Sequence, residues 1–307
     1  MPSAPIATPP AFDGTVDDIK SFMIGCTYEA TRPKADDIAA LKDTVLPGSS
    51  VYVTMLPNRP TDELLQSSEA LRNAGLKPVP HISVRHFQSI EDIETLLTKM
   101  VARARIDDVL LIGGDIAKPV GKVPDVLSVI ESGALQRAGI KSVGVGGFPD
   151  GHPAVSDEEL EASLVTKLAS LQNGGMDGYI ITQFCFHAHT IIRWLDWLRA
   201  RGIGSPVKIG LAGPTSLMTW LNYARKCGVK ASAEALASRS GLVRHAFKSV
   251  APDPIIRTLA GAVAAGHINN VTPHLFAFGG IGATAKWAQP AIAGRIRLNA
   301  DRGFDAI

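Results

Sequence analysis

The chain has 307 residues, 46% hydrophobic and 20% charged, enough to bury a large core as one barrel or as two ordinary domains. Lys and Arg number 31 against 29 acidic residues, a formal charge of +2 with 6% aromatic residues and no basic block, which argues against nucleic acid as a partner. Three cysteines, Cys26, Cys185 and Cys227, are too few and too widely spaced for a disulfide framework or a CxxC metal site, so a reducing cytoplasm is the expected location.

Residues 1–16 begin MPSAPIATPPAFDG, without a basic end followed by an apolar stretch. They read as a flexible N-terminal arm rather than a signal peptide. No uninterrupted apolar run reaches membrane-span length, which predicts a soluble protein. Residues 17–307 read as a single catalytic domain. Runs with the character of buried strands follow in order at 21–28, 50–55, 77–82, 107–112, 141–147, 178–184, 207–213 and 269–276. Helical patterns lie between them, notably DELLQSSEALRNAG, SIEDIETLLTKMVARA, DEELEASLVTKLASLQNGG and HTIIRWLDWLRARG. Eight repeated strand and helix units favour a (β/α)8 TIM barrel over a doubly wound sheet. Residues 123–140 predict a short helix after a Gly/Pro-containing loop. Residues 214–268, with ASAEALASRS and DPIIRTLAGAVAAG, hold more helix than one crossover needs, which predicts additional helices before the last strand.

Polar residues recur at the ends of these apolar runs: Glu29, Thr54, His81, Asp115 and Gln183. In a parallel barrel such positions converge on one rim, the layout of a catalytic site. Glu29, in YEATRP, suits a strand-end carboxylate paired with Arg32 or a general acid. The acid role asks for a pKa raised by burial or by a second carboxylate, for which Asp115 is the candidate. Asp115 follows Gly113 and Gly114 in LIGGDIAKPVG, where glycines permit close backbone approach to a ligand, although Asp115 as a simple turn cap is the competing reading. Neither a P-loop nor a GxGxxG fingerprint is present, and Lys118 alone says little about phosphate. His81 and nearby His86 fit either a heterocycle contact or rings satisfied by the backbone. Asp150, His152, His187 and His189 raise the question of a metal, but no HExxH or cysteine set supports one, and no metal is expected. Gln183 is a primary amide in the apolar IITQFCF and needs a hydrogen-bond network or a ligand, since burying it unpartnered costs about 1–3 kcal/mol. Phe184 and Phe186 flank it and suit a ligand face as well as ordinary core packing. Trp194, Trp197 and Trp220 fit either a subunit interface, hence a homo-oligomer, or the helix and barrel core.

PHIS at 80–83, GGD at 113–115, FPDGHP at 148–153 and IITQFCF at 180–186 occur in the order and spacing found in methylenetetrahydrofolate reductases. From about Ser21 to Phe278 the chain resembles the bacterial, catalytic-domain-only members of that family. The resemblance implies a (β/α)8 barrel, FAD, a nicotinamide donor (NADH or NADPH) and interconversion of 5,10-methylenetetrahydrofolate and 5-methyltetrahydrofolate. It makes Glu29 the acid, Asp115 the carboxylate near flavin and pterin, and Gln183, with Phe184 and Phe186, the folate contact. Thr54, His81, Gly113, Gly114, Asp115, Phe148, His152 and Lys167 become the flavin positions. The departures fall mainly on the cofactor side. The family's RGD is GGD here, Phe148 replaces a usual Tyr, and Ser170 and Leu171 stand where a basic cluster is usual. In addition, FEFFPP has become TYEATRP and HLFAFGG lacks a terminal Arg. Three enzyme versions follow: a flavin-dependent reductase, a reductase using nicotinamide directly, and a catabolic enzyme oxidising methyltetrahydrofolate. The reading from another class is a folate-binding or regulatory barrel without turnover.

Overall fold

The computed structural model describes residues 12–57, 59–227, 229 and 249–307. Eight parallel strands close a barrel: β1 (Thr27–Ala30), β2 (Ser50–Val53), β3 (Lys77–Ser83), β4 (Asp108–Ile112), β5 (Ser142–Gly147), β6 (Asp177–Thr182), β7 (Val207–Ala212) and β8 (Val271–Phe276). Each pairs with its sequence neighbours, and β8 closes on β1 with Glu29 beside Phe276. The expected TIM barrel is therefore the fold, because short β-branched and leucine-rich runs alternate with helices that cover both the strands and one another.

The first strand differs from expectation. The run at 21–28 is split: its front half completes a helix, Val16–Met23, and the strand begins only at Thr27. Ile19, Phe22 and Met23 recur at helical spacing and are all buried, a periodicity that the continuous apolar run conceals. A reciprocal cap between Thr15 and Asp18 starts this helix. Residues 1–11 of the predicted arm lie outside the described residues. Its last part is docked: Gly14 N donates to Arg257 O at 3.1 Å, and the Arg257 guanidinium donates to Asp13 at 2.9 Å.

The single helix expected within 123–140 is two, Val126–Glu131 and Ala134–Ala138, broken at Gly133 with φ 75°. After β7, Thr215–Ser216 pairs antiparallel with Ser249–Val250, and helices Leu217–Cys227 and Asp253–Ala264 precede β8, as the surplus of helical pattern predicts. ASAEALASRS lies outside the described residues. A helix at Ile281–Ala293 and a hairpin of Ile296–Leu298 with Phe304–Ala306 complete the chain.

Two apolar layers result. One lies between strands and helices, and the other fills the barrel with Tyr52, Val79, Leu110, Tyr179 and Ile181. Through this inner layer runs a polar line. The Tyr52 hydroxyl donates to the Tyr179 hydroxyl at 2.9 Å, which donates to Asp108 Oδ1 at 2.8 Å. Burial raises the Asp108 pKa above its ordinary value of 3.8, opposed by the Tyr179 bond and by the Lys77 and Lys208 charges. Tyr179→Phe leaves this carboxylate without its donor and Tyr52 without its acceptor. Urea titration should show a loss of about 1–3 kcal/mol. Burial makes the ionised form of Asp108 the costly one, so the stability it takes away grows as pH rises through the raised pKa. The Tyr179 bond lowers that pKa by stabilising the ionised carboxyl, so the variant's deficit should be larger at pH 8 than at pH 5.

Candidate active site

The ends of β1, β2, β3 and β8 bring together four side chains. Glu29 lies on β1 with its side chain 15% exposed. Thr54, the residue after β2, donates from Oγ1 to Glu29 Oε1 at 3.3 Å. On the other oxygen, Oε2, His274 Nε2 sits at 3.3 Å from β8 and His81 Nε2 at 3.5 Å from β3. His274 is fully buried, and its Nδ1 lies 2.8 Å from the Thr27 hydroxyl. His81 is 4% exposed, and its Nε2 makes no hydrogen bond among the described residues. It is close enough to Glu29 for an ionic contact without that bond, and a buried ring nitrogen in that condition is completed by a ligand.

The electrostatics differ from the expectation of a raised acid. Burial pushes the Glu29 pKa up, but the His81 charge, the His274 hydrogen bond and charge, and the Thr54 bond together bring it below 4.5. His81 is itself lowered, mainly by burial, with Glu29 opposing and His274 adding to the fall. Glu29 therefore rests as a carboxylate. Its partners are the two histidines and Thr54, where sequence proximity suggested Arg32. Asp115, the candidate second carboxylate, is 74% exposed at its side chain and bonds to His86 Nε2 at 3.3 Å.

Gln183 follows β6. Its backbone N donates to Gly147 O at 2.8 Å, and its side-chain oxygen accepts from Phe184 N at 3.1 Å. Phe184 is buried among rings, with centroids 5.7 Å from Phe186, 5.7 Å from Phe276 and 5.1 Å from Phe278. Tyr223 stacks on Phe278 at 4.0 Å and 12°. His274 meets Phe276 edge-on at 5.1 Å, which joins this aromatic wall to the Glu29 cluster. His274, Phe276, Phe278 and Tyr223 are the site residues that sequence reasoning missed. The available signal was a histidine inside an apolar strand in HLFAFGG, with Phe276 and Phe278 at the alternate positions that share its face. Trp220 belongs to the same wall, donating from its indole to Gly213 O at 2.9 Å.

The positions assigned to flavin fall into separate groups. Thr54 and His81 gather on Glu29. At Gly114, with φ 97°, a Cβ would stand 2.8 Å from the His86 ring, and at Gly113 one would stand 3.7 Å from Arg85 Cδ. The open face of Gly114 is thus covered by the His86 ring, while Gly113 has only an ordinary contact with Arg85, which donates to Ala117 O at 2.6 Å. Phe148 and His152 meet edge-on at 5.4 Å, and His152 Nδ1 accepts from Ala154 N at 3.2 Å. Lys167 is half-buried with its pKa lowered by burial and supported by the Asp125 charge, while Ser170 donates to Glu131 at 3.1 Å.

A cavity of about 360 Å³ opens beside the end of β5, between helices Asp157–Asn173 and Ala188–Ala200, lined by Phe148, Glu161, Arg193, Trp194 and Trp197 among others. Burial pushes the Cys26 thiol up to about 11, and burial with the Asp150 charge raises Cys185, so neither is a resting thiolate. Among the described residues no group of three or more His, Cys, Asp or Glu is arranged to hold a metal ion, and no helix is long and apolar enough to cross a membrane.

The solved structure of an uncharacterized protein from Clostridium thermocellum, described as binding two copies of 5-methyl-5,6,7,8-tetrahydrofolic acid, is similar in fold. Its TM-score is 0.58 at 11% identity, over 89% of this chain and 96% of that one. Residues 51–259 match the family profile described as methylenetetrahydrofolate reductase. Glu29 and His274 lie outside that span, yet the barrel closure sets them against Thr54 and His81 inside it. With more than half of its length matched, the chain belongs to the methylenetetrahydrofolate reductase family.

Proposed function

We propose that this protein interconverts 5,10-methylenetetrahydrofolate and 5-methyltetrahydrofolate with a nicotinamide dinucleotide as hydride partner. The observation that carries the reading is the Glu29 carboxylate, held by Thr54 and His274 at the end of the barrel beside a wall of stacked rings. In the reducing direction the bond between N10 and the bridging carbon breaks, hydride adds to that carbon, and a proton goes to N10 while the nicotinamide is oxidised. In reverse, N10 gives up that proton.

Glu29 is the group placed to carry it. As a resting carboxylate it is ready to accept a proton in the oxidising direction. In the reducing direction it must gain one first. A bound pterin ring that excludes water from the cage strengthens burial, already the largest influence on this carboxyl and the one that raises its pKa. His81 Nε2 supplies a hydrogen bond to the ligand, Gln183 offers an amide edge, and Phe278 with Tyr223 offers a stacking face.

The residues present fit FAD poorly on its phosphate side. The His86 ring fills the face of Gly114, Gly113 stands where the family's Arg would, and Lys167 is partly buried with the Asp125 charge acting on it. No step is therefore routed through a flavin, and hydride passes between the nicotinamide and the folate carbon.

A second reading, a folate-binding barrel without turnover, has its own support. Glu29 carries no proton at rest, and the similar Clostridium thermocellum structure is described as binding methyltetrahydrofolate. An anaerobic assay with methylenetetrahydrofolate and NADH or NADPH, with and without FAD, separates these readings. The expected result is nicotinamide oxidation matched by methyltetrahydrofolate, with no absorbance near ~450 nm in the purified protein and no gain from FAD. Turnover only with FAD would restore the flavin route. Methyltetrahydrofolate binding by calorimetry with no turnover under any condition would favour the second reading.

A further inference from the structure

Glu29 is flanked by two histidines that differ in what lies behind them. His274 is fully buried, with Thr27, itself 4% exposed, at 2.8 Å from Nδ1 and Glu29 Oε2 at 3.3 Å from Nε2. His81 has the opposite condition, with an Nε2 that is buried, 3.5 Å from the same oxygen and without a hydrogen bond among the described residues. A carboxylate only accepts, so the bond from His274 requires its proton on Nε2. In the neutral ring Nδ1 is then bare and takes the Thr27 hydroxyl hydrogen.

We propose that Thr27 and His274 are positioning residues for Glu29: the Thr27 hydroxyl keeps the His274 proton on Nε2, which holds one carboxylate oxygen in place and leaves His81 Nε2 to meet the ligand. The arrangement resembles the way a second group orients a histidine toward a reacting centre in other enzymes. Thr27 sits at the start of β1 and His274 within β8, paired in register across the barrel closure, so the lock exists only when the barrel is closed. Other titratable groups facing Glu29 are His81 from β3, Tyr52 from β2 and Cys227 from helix Leu217–Cys227.

Removing the hydroxyl by Thr27→Val removes what favours the Nε2 proton. The ring can then present a bare Nε2 to Glu29, an arrangement that favours the protonated carboxyl. The Glu29 titration midpoint should move up.

The proposal bears on the oxidoreductase reading, but its test does not depend on turnover. In protein carrying 13C-labelled Glu, the Glu29 carboxyl resonance is assigned by its disappearance in Glu29→Gln and titrated in wild type, Thr27→Val and Thr27→Ser. The expected result is an upward shift in Thr27→Val, with a midpoint near wild type in Thr27→Ser, which keeps the hydroxyl. Where turnover is measurable, Thr27→Val should lower kcat about tenfold at pH 7 with KM within about twofold, the upper end of what one neutral hydrogen bond contributes. An unmoved midpoint in a folded Thr27→Val protein, or a Thr27→Ser protein that titrates like Thr27→Val, would overturn the proposal. A moved midpoint in a protein without turnover supports the lock and counts against the redox reading alone. If Thr27→Val does not fold, His274→Gln is titrated instead: a midpoint that stays at the wild-type value overturns the proposal, and a raised one supports it.

Discussion

Glu29→Gln should reduce interconversion of methylene- and methyltetrahydrofolate by at least about 10²-fold, the usual scale for removing a positioned acid or base. Folate affinity should stay within about threefold, because glutamine keeps the shape, its amide oxygen can accept from His274 and its NH2 can donate to the Thr54 hydroxyl. The discriminating measurement is single-turnover kinetics beside calorimetric binding of methyltetrahydrofolate, which separates the chemical step from recognition. Equal turnover in the variant would remove Glu29 from the proton step and leave the cluster as a binding feature. The stability effect has a definite sign. The folded pKa of Glu29 lies below its unfolded value, so its contribution is present above the ordinary carboxylate pKa and is lost as pH falls through the lowered one. Glu29→Gln should therefore destabilise the protein at pH 7 and converge on wild type in acid.

Gly210→Ala should strain the scaffold directly beneath the site. Gly210 lies on β7, its backbone N donating to Thr182 Oγ1 at 2.9 Å. A Cβ there would run into the Thr182 carbonyl oxygen and stand 2.7 Å from the Phe276 ring and 3.0 Å from the Gln183 carbonyl carbon. Two of those obstacles are backbone, and the third is part of the aromatic wall. The side chain can be admitted only by spreading β6 from β7, which displaces Gln183 and Phe276 together. A cost of about 1–3 kcal/mol is the ordinary figure for forcing a methyl into a filled core, and the backbone contacts place this site at the upper end. Thermal or urea unfolding should show that loss alongside weaker folate binding. Gly204→Ala is the control, since nothing stands within 4 Å of its Cβ position and it should change neither quantity. Wild-type stability in Gly210→Ala would mean that the strands tolerate a wider spacing than the contacts allow.

Some of the candidate site was legible from the chain order alone. Glu29, Thr54 and His81 each stand at or near the end of an apolar run, and closed parallel barrels gather strand ends on one rim, so their meeting follows from alternation and strand direction. Asp115 and Lys167 follow less well. Asp115 follows a strand end but is exposed on His86, because loop packing decides where a side chain points once the strand has ended, and Lys167 sits inside helix Asp157–Asn173, where burial lowers its pKa.

What the sequence by itself determined was the architecture. Eight buried runs separated by helical patterns have few compact solutions, and a local helix such as Val16–Met23 can shift a strand's start without changing that count. What only the tertiary structure decided was the company Glu29 keeps. His274 lies 245 residues away along the chain and reaches the carboxylate through the β1 and β8 pairing. The same closure brings Thr27 to the far side of the His274 ring. Proton position and carboxyl pKa depend on distances of a few ångströms and on shared burial. Those quantities are created when the ends of the barrel join, and no local pattern in either segment encodes them.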